Sequence, residues 1–99
     1  QYMDHSWGKH RYWVGNTNKH PPSFYMDQNI YASFLRDRIG IELRNMPGGK
    51  NIMWSSDFPH SETTYPHSRT YIEQEFEGIP EADKREIVGG RAARLFHFD

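Results

Sequence analysis

The stretch Ile30–Ser55, IYASFLRDRIGIELRNMPGGKNIMWS, decides how the rest of the chain is read. It opens with Ile30-Tyr-Ala-Ser-Phe-Leu35, a short run of aromatic and β-branched residues with the composition of a strand. Asp37 follows as an N-cap for a helix in which Ile39, Leu43 and Met46 fall at i, i+4 and i+7 and form the apolar stripe. Pro47-Gly48-Gly49 stops that helix. Asn51 to Ser55 is a second short apolar run, read as a strand. Strand, helix and strand, joined through residues 36–50, make the unit of a parallel sheet, whose crossover needs about a dozen residues. The expected class is α/β.

Working outward, Tyr2, Met3, Trp7, His10 and Trp13 sit at roughly helical spacing, against which Gly8 counts. A polar loop, Gly15 to His20, leads to Pro21-Pro22, and Ser23 is placed to cap a short helix through Asn29. Downstream, the loop Ser61–Thr64 precedes a helix from about Tyr65 to Glu77, with Pro66 near its first turn. Ile72 and Phe76 supply an i, i+4 apolar pair, and Gly78 closes the helix. Pro80 opens a further helix that is expected to end at Gly89-Gly90. A last short helix, Arg91 to Phe96, presents Ala92, Leu95 and Phe96. No internal repeat or low-complexity segment interrupts this order.

The chain has 99 residues, 35% of them hydrophobic and 15% aromatic, with a formal charge of −1. So many rings at so small a charge indicate a folded segment with a thin, aromatic-rich core. Two parallel strands do not make a stable sheet alone, because parallel sheets are covered on both faces and need neighbours at their edges. With Gln1 at the start, this leads to the expectation that residues 1–99 are the C-terminal part of one larger α/β domain. Near-neutral charge argues against a nucleic-acid partner. No run approaches the ~20 apolar residues that span a bilayer, which argues against a membrane one. The absence of cysteine fits a reducing compartment, and a cytoplasmic location is expected.

The stretch Asn51–Arg69, NIMWSSDFPHSETTYPHSR, together with Gly78-Ile-Pro80 and Gly90-Arg-Ala-Ala-Arg-Leu-Phe96, resembles the C-terminal part of the amidohydrolase-related, metal-dependent hydrolases. This TIM-barrel group includes aminocarboxymuconate-semialdehyde decarboxylase and related nonoxidative decarboxylases. The resemblance runs from about Met3 to Phe98. It implies that Ile30–Leu35 is similar to barrel strand seven and Asn51–Ser56 to strand eight, with terminal helices completing a (β/α)8 barrel. It also implies a divalent metal ion at the barrel mouth, Zn first, with Mn or Fe as alternatives. The family's His-x-His pair is absent, since no two histidines here stand two apart, so most ligands would lie outside these residues. Arg91 stands where the closing motif usually has Asn, which bears on packing more than on chemistry.

Asp57 is the residue on which the chemistry turns. By itself it fits an Asx-type turn before Pro59. By the resemblance it is the metal-binding and catalytic aspartate at the C-terminal end of strand eight, able to take a proton from metal-bound water. His60 either borders substrate or bonds the loop backbone. His67, behind Pro66, reads as a capping or supporting residue, while His5, His10 and His20 read as surface or packing histidines. Trp7, Tyr12, Trp13 and Phe24 form an aromatic group expected in core or inter-subunit packing, and Trp54 is expected in a barrel or helix-facing core. The acidic run Glu73 to Glu86 is a solvated helix face. Ser55 and Ser56 lack the setting of a serine nucleophile.

The expected function is therefore the C-terminal portion of a metal-dependent hydrolase or nonoxidative decarboxylase. It would act on a small carboxylated or cyclic organic molecule, be inactive by itself, and belong to a full-length protein that is a possible homodimer. The alternative is a self-contained, non-enzymatic binding module with an aromatic-rich contact surface. Cooperative monomeric melting of the 99 residues favours the module.

Overall fold

The computed structural model describes residues 1–98. Its elements, in order, are α1 (Tyr2–His10), α2 (Pro22–Asn29), β1 (Ala32–Phe34), α3 (Arg38–Glu42), β2 (Ile52–Trp54), α4 (Ser68–Glu75) and α5 (Glu81–Arg85). A π-helical turn over Glu86–Gly90 then leads into α6 (Arg91–Leu95). The expected strand–helix–strand unit is present. β1 and β2 pair in parallel, with Ala32 opposite Ile52, Ser33 opposite Met53 and Phe34 opposite Trp54. Both strands are shorter than their apolar runs, and Ile30 lies outside β1 as the C-cap of α2.

Side chains alternate across a strand, so Phe34, Ile52 and Trp54 share one face of this small sheet. The helices cover that face. Ile41 from α3, Phe76 from the end of α4 and Ile87 from the π turn are buried there, with Phe34, Ile52, Trp54, Ile72, Ile79 and Val88 packed around them. The Ile72–Phe76 pair thus lies in the core as its spacing predicts. Trp54 faces the helices, and its indole Nε1 donates to the carbonyl of Leu35 at 3.1 Å, tying the ends of the two strands together.

Helix α3 departs from expectation in both length and rotation. The Asp37 carboxylate does cap it, accepting from the Gly40 N–H at 2.8 Å. The helix ends at Glu42, however, and Ile39 and Leu43 are 71% and 52% exposed while Ile41 is fully buried. The i, i+4, i+7 stripe is therefore the outer face. Two arginines fix this rotation. Arg38 donates through Nη1 to the carbonyls of Glu75 and Glu77, both at 2.8 Å, capping the end of α4. Arg44 holds Asp83 beside α5 at 2.7 Å.

Three further boundaries differ. Ser23 does not cap α2 with its side chain. The helix starts at Pro22, and the Ser23 N–H is met by the Asp4 carboxylate of α1 at 2.8 Å, which joins the first two helices. Gly89-Gly90 does not end a helix. Gly90 is right-handed helical, at φ −59° and ψ −40°, and the chain winds through it into α6. Gly78, by contrast, has φ +75° and closes the α4 segment as expected. Tyr12 and Trp13 lie beyond α1 and are 83% and 85% exposed, so they take no part in a core.

Candidate functional site

The ladder continues one residue past β2, where the Ser55 N–H donates to the Phe34 carbonyl at 2.9 Å. The chain then reverses at Asp57, which adopts φ +54°. That left-handed conformation is uncommon outside glycine but is one that Asp tolerates. The reversal is made by backbone and by serine. Asp57 N–H donates to Ser55 Oγ at 3.2 Å, and the Asp57 carbonyl accepts from the His60 N–H at 2.8 Å.

The Asp57 carboxylate takes no part in the turn. An Asx turn needs the N–H two residues on, and that residue is Pro59, which has none. Among the described residues no backbone N–H meets the carboxylate, His60 Nδ1 stands 3.4 Å from it, and its side chain is 48% exposed. The residue thus lies just past the C-terminal end of β2 with its carboxylate outside the turn's hydrogen bonds.

The return of the loop is well anchored. Thr63 Oγ1 donates to the Ser56 carbonyl at 2.5 Å, and the Thr64 N–H reaches the same oxygen at 3.2 Å. Thr64 is buried, and its hydroxyl lies 2.9 Å from Ser68 Oγ in the first turn of α4. The exposed rings of Phe58 and Tyr65 meet edge to face at 5.0 Å across the loop. Asp57 is therefore held between the end of a strand and a loop stitched to α4, rather than in free coil.

His60 is the nearest ionisable neighbour, with Nδ1 3.4 Å from Asp57 Oδ2. The same Nδ1 accepts the Glu62 N–H at 3.3 Å. His67 occupies the N-cap position of α4 but makes no capping hydrogen bond with its side chain. His5, His10 and His20 are exposed, and His20 stacks on Phe24 with centroids 4.0 Å apart. None of these approaches Asp57 as a partner. The serines offer Asp57 only the Ser55 hydroxyl, engaged as an acceptor.

A divalent ion suits this donor set in part. A carboxylate oxygen and an imidazole nitrogen are both zinc-type ligands. Catalytic zinc takes three protein ligands. Among the described residues no group of three or more His, Cys, Asp or Glu could hold such an ion. Asp57 fits as one ligand of a set the described residues do not complete.

The surface concavities lie elsewhere. A cleft of about 150 Å³ lined by Arg44, Lys50, Asp83, Glu86 and Arg91 opens at the other end of β2. Its cations are engaged: Arg44 with Asp83, Lys50 with Asp27, and Arg91 with the Ile52 carbonyl. It is a seam between helices and strand, not a second site. No helix among the described residues is long and apolar enough to cross a membrane.

A parallel strand pair covered by helices on one face, with an aspartate just past a strand's C-terminal end, defines an α/β chain. A family model described as Amidohydrolase matches residues 2–98. The chain belongs to this amidohydrolase family, a group of hydrolase-type enzymes that generally use divalent metals. No curated protein matches the chain.

Proposed function

We propose that the chain supplies the last two strand–helix units of a (β/α)8 barrel in a metal-dependent hydrolase, with β1 and β2 as strands seven and eight. Asp57 is the carboxylate ligand of a divalent ion, Zn first, and His60 borders the substrate. The single observation that carries this reading is the Asp57 carboxylate, half exposed just past the end of β2 and unused by the turn it sits in. The substrate class is a small carboxylated or cyclic organic molecule. When bound, such an ion would supply acidification of a water or hold a substrate against developing charge, and Asp57 would hold the ion and offer an oxygen to a proton. Nonoxidative decarboxylation is the neighbouring chemistry that the same site supports.

The two-stranded sheet supports placement within a larger barrel, which takes about 250 residues. Trp54 directs its backbone groups away from β1, as the alternation of a parallel ladder requires, and so presents an edge for another strand, whereas at Ile52 the N–H donates to the Gly49 carbonyl and the carbonyl accepts from Arg91. The test is Asp57→Asn and Asp57→Ala in the intact protein, with metal content read beside hydrolysis. Loss of metal and turnover together is the expected result, and unchanged metal stoichiometry refutes the assignment. A second reading, a non-enzymatic binding module, is favoured by the exposed Tyr2, Tyr12, Trp13 and Val14. It predicts full activity-independent function in the Asp57 variants.

A further inference from the structure

Helices α1 and α2 meet without filling the space beside their joint. Tyr2, Met3, Trp7 and Val14, with Pro22 at the start of α2, line a concavity of about 350 Å³. Small-molecule sites of roughly 300–1,000 Å³ have this character, mostly apolar with a few polar groups that orient the ligand. Tyr2, Met3 and Val14 are exposed, so these apolar walls face solvent. The polar part of the lining is Ser6, His10, Arg11 and Asn16, and among the described residues no carboxylate belongs to it. Asp4, the acidic residue of α1, accepts from the Ser23 N–H at 2.8 Å instead.

Arg11 is the C-cap of α1, its N–H donating to the Trp7 carbonyl at 3.0 Å. Its guanidinium carbon lies 4.2 Å from the centre of the Trp7 ring and 5.1 Å from that of Tyr12. Stacking of this kind occupies the flat side of the ion and leaves its N–H edge able to hydrogen-bond in plane. Among the described residues Arg11 makes no ion pair and no side-chain hydrogen bond. The chain turns back at Gly15, with φ +62°, and the Asn16 N–H donates to the Arg11 carbonyl at 3.2 Å. A helix end, two rings and the returning loop thus hold a cation without a counter-ion in the wall of an apolar concavity.

We propose that this concavity binds a small organic carboxylate with a flat apolar body, the body among Met3, Val14 and Pro22 and the carboxylate on the N–H edge of Arg11. The site is separate from the Asp57 chemistry and does not depend on it. Apolar walls alone accept any hydrocarbon, and a guanidinium alone accepts any anion. Side by side they select a ligand that carries both, and the fork of Arg11 can meet the two carboxylate oxygens together.

The test measures 2-naphthoate and its uncharged analogue 2-naphthamide by calorimetry on the intact protein. Naphthoate is expected to bind about tenfold more tightly, the worth of a charge-assisted hydrogen bond. Arg11→Gln should remove that advantage and leave naphthamide affinity unchanged, which also reports that the concavity is intact. Arg11→Lys should recover part of the loss, and Val14→Asn should weaken both ligands alike. Asp57→Ala should leave naphthoate affinity as it is. Wild-type protein that binds neither ligand, or Arg11→Gln that binds naphthoate as wild type does, overturns the proposal. Naphthoate lost in Asp57→Ala also overturns it, by placing the ligand at the other loop. Self-association that excludes naphthoate overturns it too, by making a second copy the occupant. Naphthoate bound as expected by a protein that takes up no metal refutes the Asp57 reading alone.

Discussion

Arg91, the first residue of α6, donates from Nη1 to the main-chain oxygen of Ile52 at 2.5 Å. That oxygen lies on the edge of β2 turned away from β1, so the arginine satisfies an acceptor the two-stranded ladder leaves open. The long arginine side chain reaches the strand from the helix. Arg91→Ala should therefore cost about 1.5 kcal/mol, the lower range for a charged donor. Arg91→Lys, with a point charge in place of a planar fork, should recover only part. Urea midpoints compared at constant slope would measure both.

Burial, not periodicity, ranks the isoleucines of α3. Ile41→Ala should destabilise by about 2–5 kcal/mol, as removal of a fully buried side chain does. Ile39→Ala, on the outer face, should stay within about 0.5 kcal/mol. Equal losses in chemical denaturation would place the outer stripe against another surface.

The Asp37 cap should be worth about 1 kcal/mol, lost in Asp37→Ala. Gly40→Ala interferes with the same cap from the other side, because its Cβ would come within 2.8 Å of Asp37 Oδ2. The two changes should be non-additive in a double-mutant cycle, since either one disturbs the same contact.

The joint between α1 and α2 should depend on acid. Hydrogen bonds from Ser23, side chain and backbone, hold the Asp4 carboxyl below the usual 3.8. The unfolded chain then takes up the proton first as pH falls. The contribution is complete above about 3.8 and is lost as pH drops through the lowered folded value. The difference in acid titration between wild type and Asp4→Asn, followed by Trp7 fluorescence, should show this component. An identical titration in the two proteins refutes it.

Local chemistry made much of this fold legible. The strand composition of residues 30–35 and 51–55, the crossover between them and the Asp37 cap all rest on neighbouring residues, and all appear in the structure. What sequence spacing missed depends on distant partners. The rotation of α3 is set by Arg38 on the carbonyls of Glu75 and Glu77, and the start of α2 by Asp4. Gly89-Gly90 has a stop signal's composition, but glycine also tolerates the helical conformation it adopts here. At the site, the position of Asp57 was readable from its strand. That its side chain is excluded from an Asx turn follows from the missing N–H of Pro59, a signal present in the sequence. The Glu62 N–H on His60 is a product of the loop's path and leaves no mark in residue type.

The π turn at Glu86–Gly90 carries one residue more per turn than its α-helical flanks. Deleting one residue from it would restore a regular helix, with unchanged composition on either side. It would also rotate everything downstream by about 100°. Arg91 would then swing off Ile52, and Arg94 off Glu86, with which it pairs across the π turn. Residue count in this segment sets where the last helix points its charges, while the core holds Ile87 within it to an apolar side chain.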